Sequence, residues 1–167
     1  MNKTKCFASA AGMAALLLFL TSCATSASTS RLPLTDILGV HLDMRPAAVQ
    51  KALASIGKLD RAENKRQEVW TVRDPRFSSL LIGYDREGGV RYVTAIANPA
   101  GQPVTYAEVI DVATAEHRAA GPTHTYTWVG GKPQYSVIVI GNETRVEYLS
   151  LKEGVGELES DEEEDDD

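Results

Sequence analysis

The chain has 167 residues, with 23 acidic against 17 basic side chains and a formal net charge of −6. Ten of the acids crowd into residues 153–167, whereas residues 24–152 hold 13 acids and 15 Lys and Arg, so the acidity belongs to a tail and the body is close to neutral. Nothing in that distribution forms the basic stripe a nucleic-acid partner requires, and a hydrophobic content of 43% is enough for the core of one domain or two very small ones.

The start of the chain reads as an export signal. Lys3 and Lys5 precede an apolar run, Phe7–Leu20. The run is shorter than the roughly 20 helical residues needed to cross a bilayer, and small residues follow it. It ends Leu20-Thr21-Ser22-Cys23, which resembles the lipobox of bacterial lipoproteins. The resemblance implies a signal peptide over 1–22, cleavage between Ser22 and Cys23, and palmitate-like acyl chains on Cys23. Each buried CH₂ of such chains contributes about 0.8 kcal/mol, and two or more chains hold a protein durably at a membrane. Ala24 stands where an aspartate would favour retention at the inner membrane, which implies an outer-membrane anchor facing the periplasm. The competing reading is a secreted protein cleaved near Ala24 or Ala27. Cys6 lies in the leader, so a mature chain acylated at Cys23 has neither a free thiol nor a disulfide.

The small polar stretch within 23–33 reads as a flexible tether. A first unit spans 34–98. Asp43-Met44-Arg45-Pro46 opens a helix with proline in its first turn, Val49, Leu53 and Ile56 line one face, and Gly57 is placed to cap it. Lys58–Gln67 is charged and loop-like. Strands are expected at Glu68–Arg73, Phe77–Tyr84 and Val90–Ala97, the last two joined by the turn Asp85-Arg86-Glu87-Gly88-Gly89. A second unit spans 99–152, with a helix over Thr105–Ala120 that Gly121-Pro122 stops. Strands follow at His124–Val129, Gln134–Ile140 and Thr144–Leu151. Residues 153–167 form an acidic tail with too little apolar surface to fold.

The two units read alike. Pro75–Gly83 aligns with Pro133–Gly141 position by position, Val90-Arg91-Tyr92-Val93 aligns with Val146-Glu147-Tyr148-Leu149, and Trp70 and Trp128 occupy the strand before each. Strand alternation imitates part of such a match, but the full correspondence indicates a duplication. The expected fold class is therefore α+β: two tandem units, each a helix plus a three-stranded antiparallel meander, sharing a sheet or core. Gly39-Val40-His41-Leu42-Asp43-Met44, a short amphipathic helix and a Trp-bearing meander resemble the SmpA/BamE-type outer-membrane lipoproteins and the related β-lactamase-inhibitor-protein-like fold. In that family the motif usually reads Leu-Gly-Met-Ser/Thr; here Asp43 replaces the glycine and Arg45 the cap residue. The resemblance implies a tandem α+β domain and a place in outer-membrane assembly.

No catalytic constellation is visible. His41, His117 and His124 lack a second ligand at helical spacing, and a metal site takes three or four converging ligands, so solvated or packed histidines are the expectation. Nucleophile elbows and phosphate loops are absent. Asp85 and Glu87 are better explained by turn chemistry than by acid–base work. No metal, cofactor or enzymatic activity is expected. The informative residues are aromatic: alternation turns Tyr92 and Tyr148 away from the core-facing Val93, Ala95, Leu149 and Leu151, with Phe77 and Tyr135 placed beside them as a candidate binding face. Cross-strand pairing that only stabilises the sheet is the plainer account. The function expected is that of a membrane-anchored, non-enzymatic lipoprotein that binds an envelope protein, as scaffold, assembly factor or hydrolase inhibitor. The alternative is a small envelope enzyme or ligand carrier with a site between the two units.

Overall fold

In a computed structural model, residues 34–63 and 66–154 are described. The leader, Ser22, Cys23, the tether up to residue 33 and the acidic residues 155–167 lie outside the described residues. The chain forms one eight-stranded antiparallel sheet with two short helices. The elements run α1 (Pro46–Leu53), β1 (Gly57–Glu63), β2 (Gln67–Val72), β3 (Phe77–Tyr84), β4 (Val90–Ala97), α2 (Tyr106–Val109), β5 (Glu116–Ala120), β6 (Thr123–Gly130), β7 (Tyr135–Gly141) and β8 (Val146–Glu153).

The expected α+β class is therefore wrong. Each half carries four strands, not three, and helix contributes only eight residues in α1 and four in α2. Two segments account for the difference. Lys58–Gln67 is not a loop for most of its length; it begins within β1, an edge strand exposed along nearly all of its length, whose charged side chains guard an unpaired edge. Gly57 opens this strand and does not cap α1. The expected helix over Thr105–Ala120 shrinks to one turn held by a capping box between Thr105 and Glu108. Ile110 is already extended and buried, and Glu116–Ala120 pairs with β6. Glu153, assigned to the acidic tail by sequence, is the last residue of β8.

The strand order is β1-β2-β3-β4-β8-β7-β6-β5. Two four-stranded meanders thus meet through their last strands, and β4 pairs with β8 about Thr94 and Ser150. The hydroxyls of that pair hydrogen-bond at 2.9 Å. Around this point the register of the two halves corresponds. Phe77 pairs with Ala97 as Tyr135 pairs with Glu153. A β-bulge between Phe77 and Ser79 then adds a residue to β3. Leu80 faces Ala95, and it is Val137 that faces Leu151. The position-by-position alignment of Pro75–Gly83 with Pro133–Gly141 therefore slips by one residue after the bulge. One residue of slip moves a side chain to the other face of a sheet. Accordingly Ile82 is buried, whereas Ile140, its match in sequence, is half-buried on the opposite face.

One face carries the core. A cross-strand row runs Leu59, Trp70, Leu80, Ala95, Leu149, Val139, Tyr126, His117, and a parallel row includes Ile82, Val93, Leu151 and Val137. The same cluster takes in Val49 and Leu53 of α1, Ile37 and Val40 of the preceding turn, and Val104 and Ile110. Burying a side chain such as Leu53 stabilises the fold by about 1.5–3 kcal/mol. The second half is covered less well: every residue of β5 is exposed, and the side chains of β6 are half-buried or exposed.

A buried carboxylate sits at one margin of this core. Glu68 Oε2 accepts hydrogen bonds from Trp70 Nε1 at 2.8 Å and from the Tyr84 hydroxyl at 3.0 Å. Burial pushes the Tyr84 hydroxyl far above its ordinary range, and the Glu68 charge adds to that effect.

Candidate functional site

Among the described residues, no helix lies on the other face of the sheet. Its central row reads Arg61, Val69, Leu81, Thr94, Ser150, Ile138, Thr127, Glu116. The next row places Ile96 beside Tyr148 and Ile140. Apart from Gly83 and Ser136, the side chains of this face are half-buried or exposed. Ile96 is 38% exposed, Val129 41% and Tyr148 45%. Exposed apolar side chains gathered on one part of a sheet face, rimmed by polar ones such as Thr94, Ser150 and Thr127, mark the kind of patch that proteins cover.

The four aromatic residues singled out by sequence do not share this face. Tyr92 and Tyr148 do: they sit on adjacent strands, one on either side of the Thr94–Ser150 pair. Phe77 and Tyr135 belong to the helix-bearing side. Phe77 is buried and in the core, and the half-buried Tyr135 packs against Trp128 with ring centroids 5.4 Å apart. Phe77 reaches that side through the bulge in β3, which the pattern of apolar residues does not show; Tyr135 is in regular register and shares its side with Val137 and Val139, as plain alternation requires.

The two remaining tyrosines differ in state. Tyr92 lies flat across Gly83, so closely that a Cβ on that glycine would overlap its ring. Its hydroxyl donates to Gln67 Oε1 at 2.8 Å, and burial raises the pKa of the hydroxyl. Tyr148 faces Ile140, where Tyr92 faces Gly83. A branched side chain in that place denies its ring the same resting surface, and Tyr148 is left as the more exposed of the pair. Beside Tyr148, at the ends of the central strands β4 and β8, a groove of about 450 Å³ opens, lined among others by Ile96, Pro103, Val104 and Arg145. An exposed tyrosine at the rim of a partly apolar groove is the kind of feature that anchors protein contacts.

The chemistry-bearing residues are elsewhere. Asp85 Oδ1 accepts the backbone N–H groups of Glu87 at 2.8 Å and Gly89 at 2.9 Å. These bonds, that of Gly89 foremost, hold its carboxyl below the ordinary carboxylate range. Its work is to close the β3–β4 turn. A smaller pocket of about 180 Å³ lies between the two halves and includes His41, Asp43, Lys132, Tyr135 and Glu153. There His41 Nδ1 lies 2.8 Å from the carbonyl oxygen of Leu42. His117 and His124 meet each other and not an acid, with Nε2 of the first 3.1 Å from Nδ1 of the second. Sequence reasoning missed this contact because it placed His117 on a helix. The available signal was Gly121-Pro122, which turns a hairpin where a helix stop was expected.

Among the described residues no group of three or more His, Cys, Asp or Glu side chains converges as a metal site. No helix among them is long and apolar enough to cross a membrane. No protein-family model, no curated protein and no solved structure matches the chain.

Proposed function

We propose that the protein is a membrane-anchored bacterial envelope lipoprotein, held by acyl chains on Cys23, that binds an envelope protein through the helix-free face of its sheet. The observation that carries this reading is the face itself: Leu81, Ile96, Ile138, Ile140 and Tyr148 lie on neighbouring strands, and no described residue forms a layer over them. Rigid strands present these side chains at little further cost in ordering, and aromatic anchors with adjoining grooves dominate protein contacts. Anchorage rests on the Leu20-Thr21-Ser22-Cys23 motif. It keeps the face close to a membrane, where the partner is met at high local concentration.

A photo-reactive residue at Tyr148 or Ile138 tests the proposal in intact cells. One discrete protein adduct from these positions, and none from Gln50 on the exposed side of α1, is the expected result. Adducts of equal yield from both sides, or none from the bare face, would remove the basis for docking. The second reading, an enzyme or ligand carrier, rests on the pocket between the halves that His41 lines. A ligand-dependent shift of His41 in NMR spectra, with the bare face unperturbed, would favour it.

A further inference from the structure

His117 and His124 stand on the two strands of the β5–β6 hairpin, on the helix-bearing side of the sheet, in its poorly covered half. Their cross-strand partners explain why the two rings meet. His124 faces Ala119 on one side and Gly141 on the other. Two small neighbours leave the imidazole room to lie along the sheet and reach the diagonal position. His117 is backed by Tyr126, whose ring stacks on it at 4.3 Å and 17°, and Tyr126 is braced in turn by Tyr106 at 4.7 Å. The histidine rings stack at 5.2 Å and 17°, and His117 Nε2 lies 3.1 Å from His124 Nδ1.

Two imidazole nitrogens bound side by side to one ion at about 2.0–2.1 Å stand roughly 2.9–3.4 Å apart, depending on the angle at the metal. The observed separation already falls in that interval, so rotation of the two side chains, with both strands left in place, is what turns the in-plane lone pairs onto one ion. The neighbouring cation Arg118 is directed away from the pair. Alternation puts Arg118 on the opposite face, where it pairs with Glu116 at 2.7 Å. We propose that His117 Nε2 and His124 Nδ1 form a two-imidazole clip for a divalent first-row transition ion, with Cu(II) bound most tightly and water completing the coordination.

The choice of ion follows from the ligand count. No third His, Cys, Asp or Glu converges on the pair among the described residues, and Zn(II) sites take three or four protein ligands. With two neutral nitrogen donors and open positions, the order of affinities is the intrinsic one, in which Cu(II) leads. Both donating nitrogens must present lone pairs, so the proton of the His–His hydrogen bond moves to the outer nitrogen of its own ring. The open coordination positions make the site one of exchange and not of permanent storage.

The test is titration of the purified protein with CuCl₂, read by calorimetry and electron paramagnetic resonance. The expected result is one tightest site per chain, hyperfine structure from two imidazole nitrogens, and affinity for ZnCl₂ at least tenfold weaker. His117→Asn and His124→Asn should each lower Cu(II) affinity tenfold or more, with the circular dichroism spectrum unchanged, and His41→Asn should leave it as it was. Unaltered affinity in the double variant, a spectrum lacking imidazole nitrogen in the wild type, or tighter binding of Zn(II) would each overturn the proposal. The wild-type spectrum decides the matter even if a variant fails to fold.

Discussion

Gly83→Ala offers a test in which one methyl group should change sign with its background. Gly83 has no left-handed backbone requirement, so alanine would ordinarily stabilise by about 0.4–1 kcal/mol through the unfolded chain. Here an added Cβ falls on the ring of Tyr92, overlapping Cε1 and Cζ and standing only 2.7 Å from Cδ1. The ring must lift off the sheet. That breaks its hydroxyl bond to Gln67, a loss of about 0.5–1.5 kcal/mol, and forces repacking of the kind that costs about 1–3 kcal/mol. The net expectation is destabilisation of about 2 kcal/mol in the wild type. In a Tyr92→Ala background the obstacle is gone, and Gly83→Ala should be neutral or stabilising. Urea denaturation followed by the fluorescence of Trp70 and Trp128 measures all four corners of the cycle. An equal effect of Gly83→Ala in both backgrounds would refute the placement of Tyr92 over the glycine, and with it the contrast drawn between Tyr92 and Tyr148.

Two further outcomes follow from the buried carboxylate. Glu68→Ala leaves the Trp70 N–H and the Tyr84 hydroxyl without their acceptor and should cost about 2–4 kcal/mol in the same assay, whereas Glu68→Gln, which retains an acceptor oxygen, should cost less. Alkaline stability is the other. The Tyr84 hydroxyl is held above its ordinary value of 10.0, mainly by burial and then by Glu68. The unfolded chain ionises this group near pH 10 while the folded chain keeps it neutral. Its contribution to stability is therefore complete below pH 10 and declines as pH rises beyond it. Tyr84→Phe should make that decline shallower in denaturation curves recorded from pH 9 to 11; an unchanged slope would place the hydroxyl in solvent.

Those parts of the fold that bury one face were legible in the residues. β3 and β4 begin and end where alternation and the Asp85–Gly89 turn place them, because each presents apolar side chains to the core every second residue. α1 was visible from Pro46, Val49 and Leu53. The edge strands were not. β1 carries Lys58, Asp60, Arg61 and Glu63 because both of its faces meet water, so it has no apolar period to detect. β5 is written in residues such as Glu116, Ala119 and Ala120, two of them alanines that favour helix, and becomes a strand only through pairing with β6; local propensity yields to tertiary context. The exposure of Tyr92 and Tyr148 on one face could be read from alternation. The removal of Phe77 from it could not, since that depends on a bulge whose only trace is one surplus residue, whereas Tyr135 follows the alternation of the buried Val137 and Val139 and was legible.

The proposed docking requires that a protein cover the face left bare by the described helices while acylated Cys23 holds the molecule at a membrane. Hydroxyl-radical footprinting of the protein purified and in intact cells measures this directly. Oxidation of Tyr148 should fall several-fold in cells, while that of Met44 beside α1 stays constant. Equal oxidation of Tyr148 in both settings would show that nothing occupies the face.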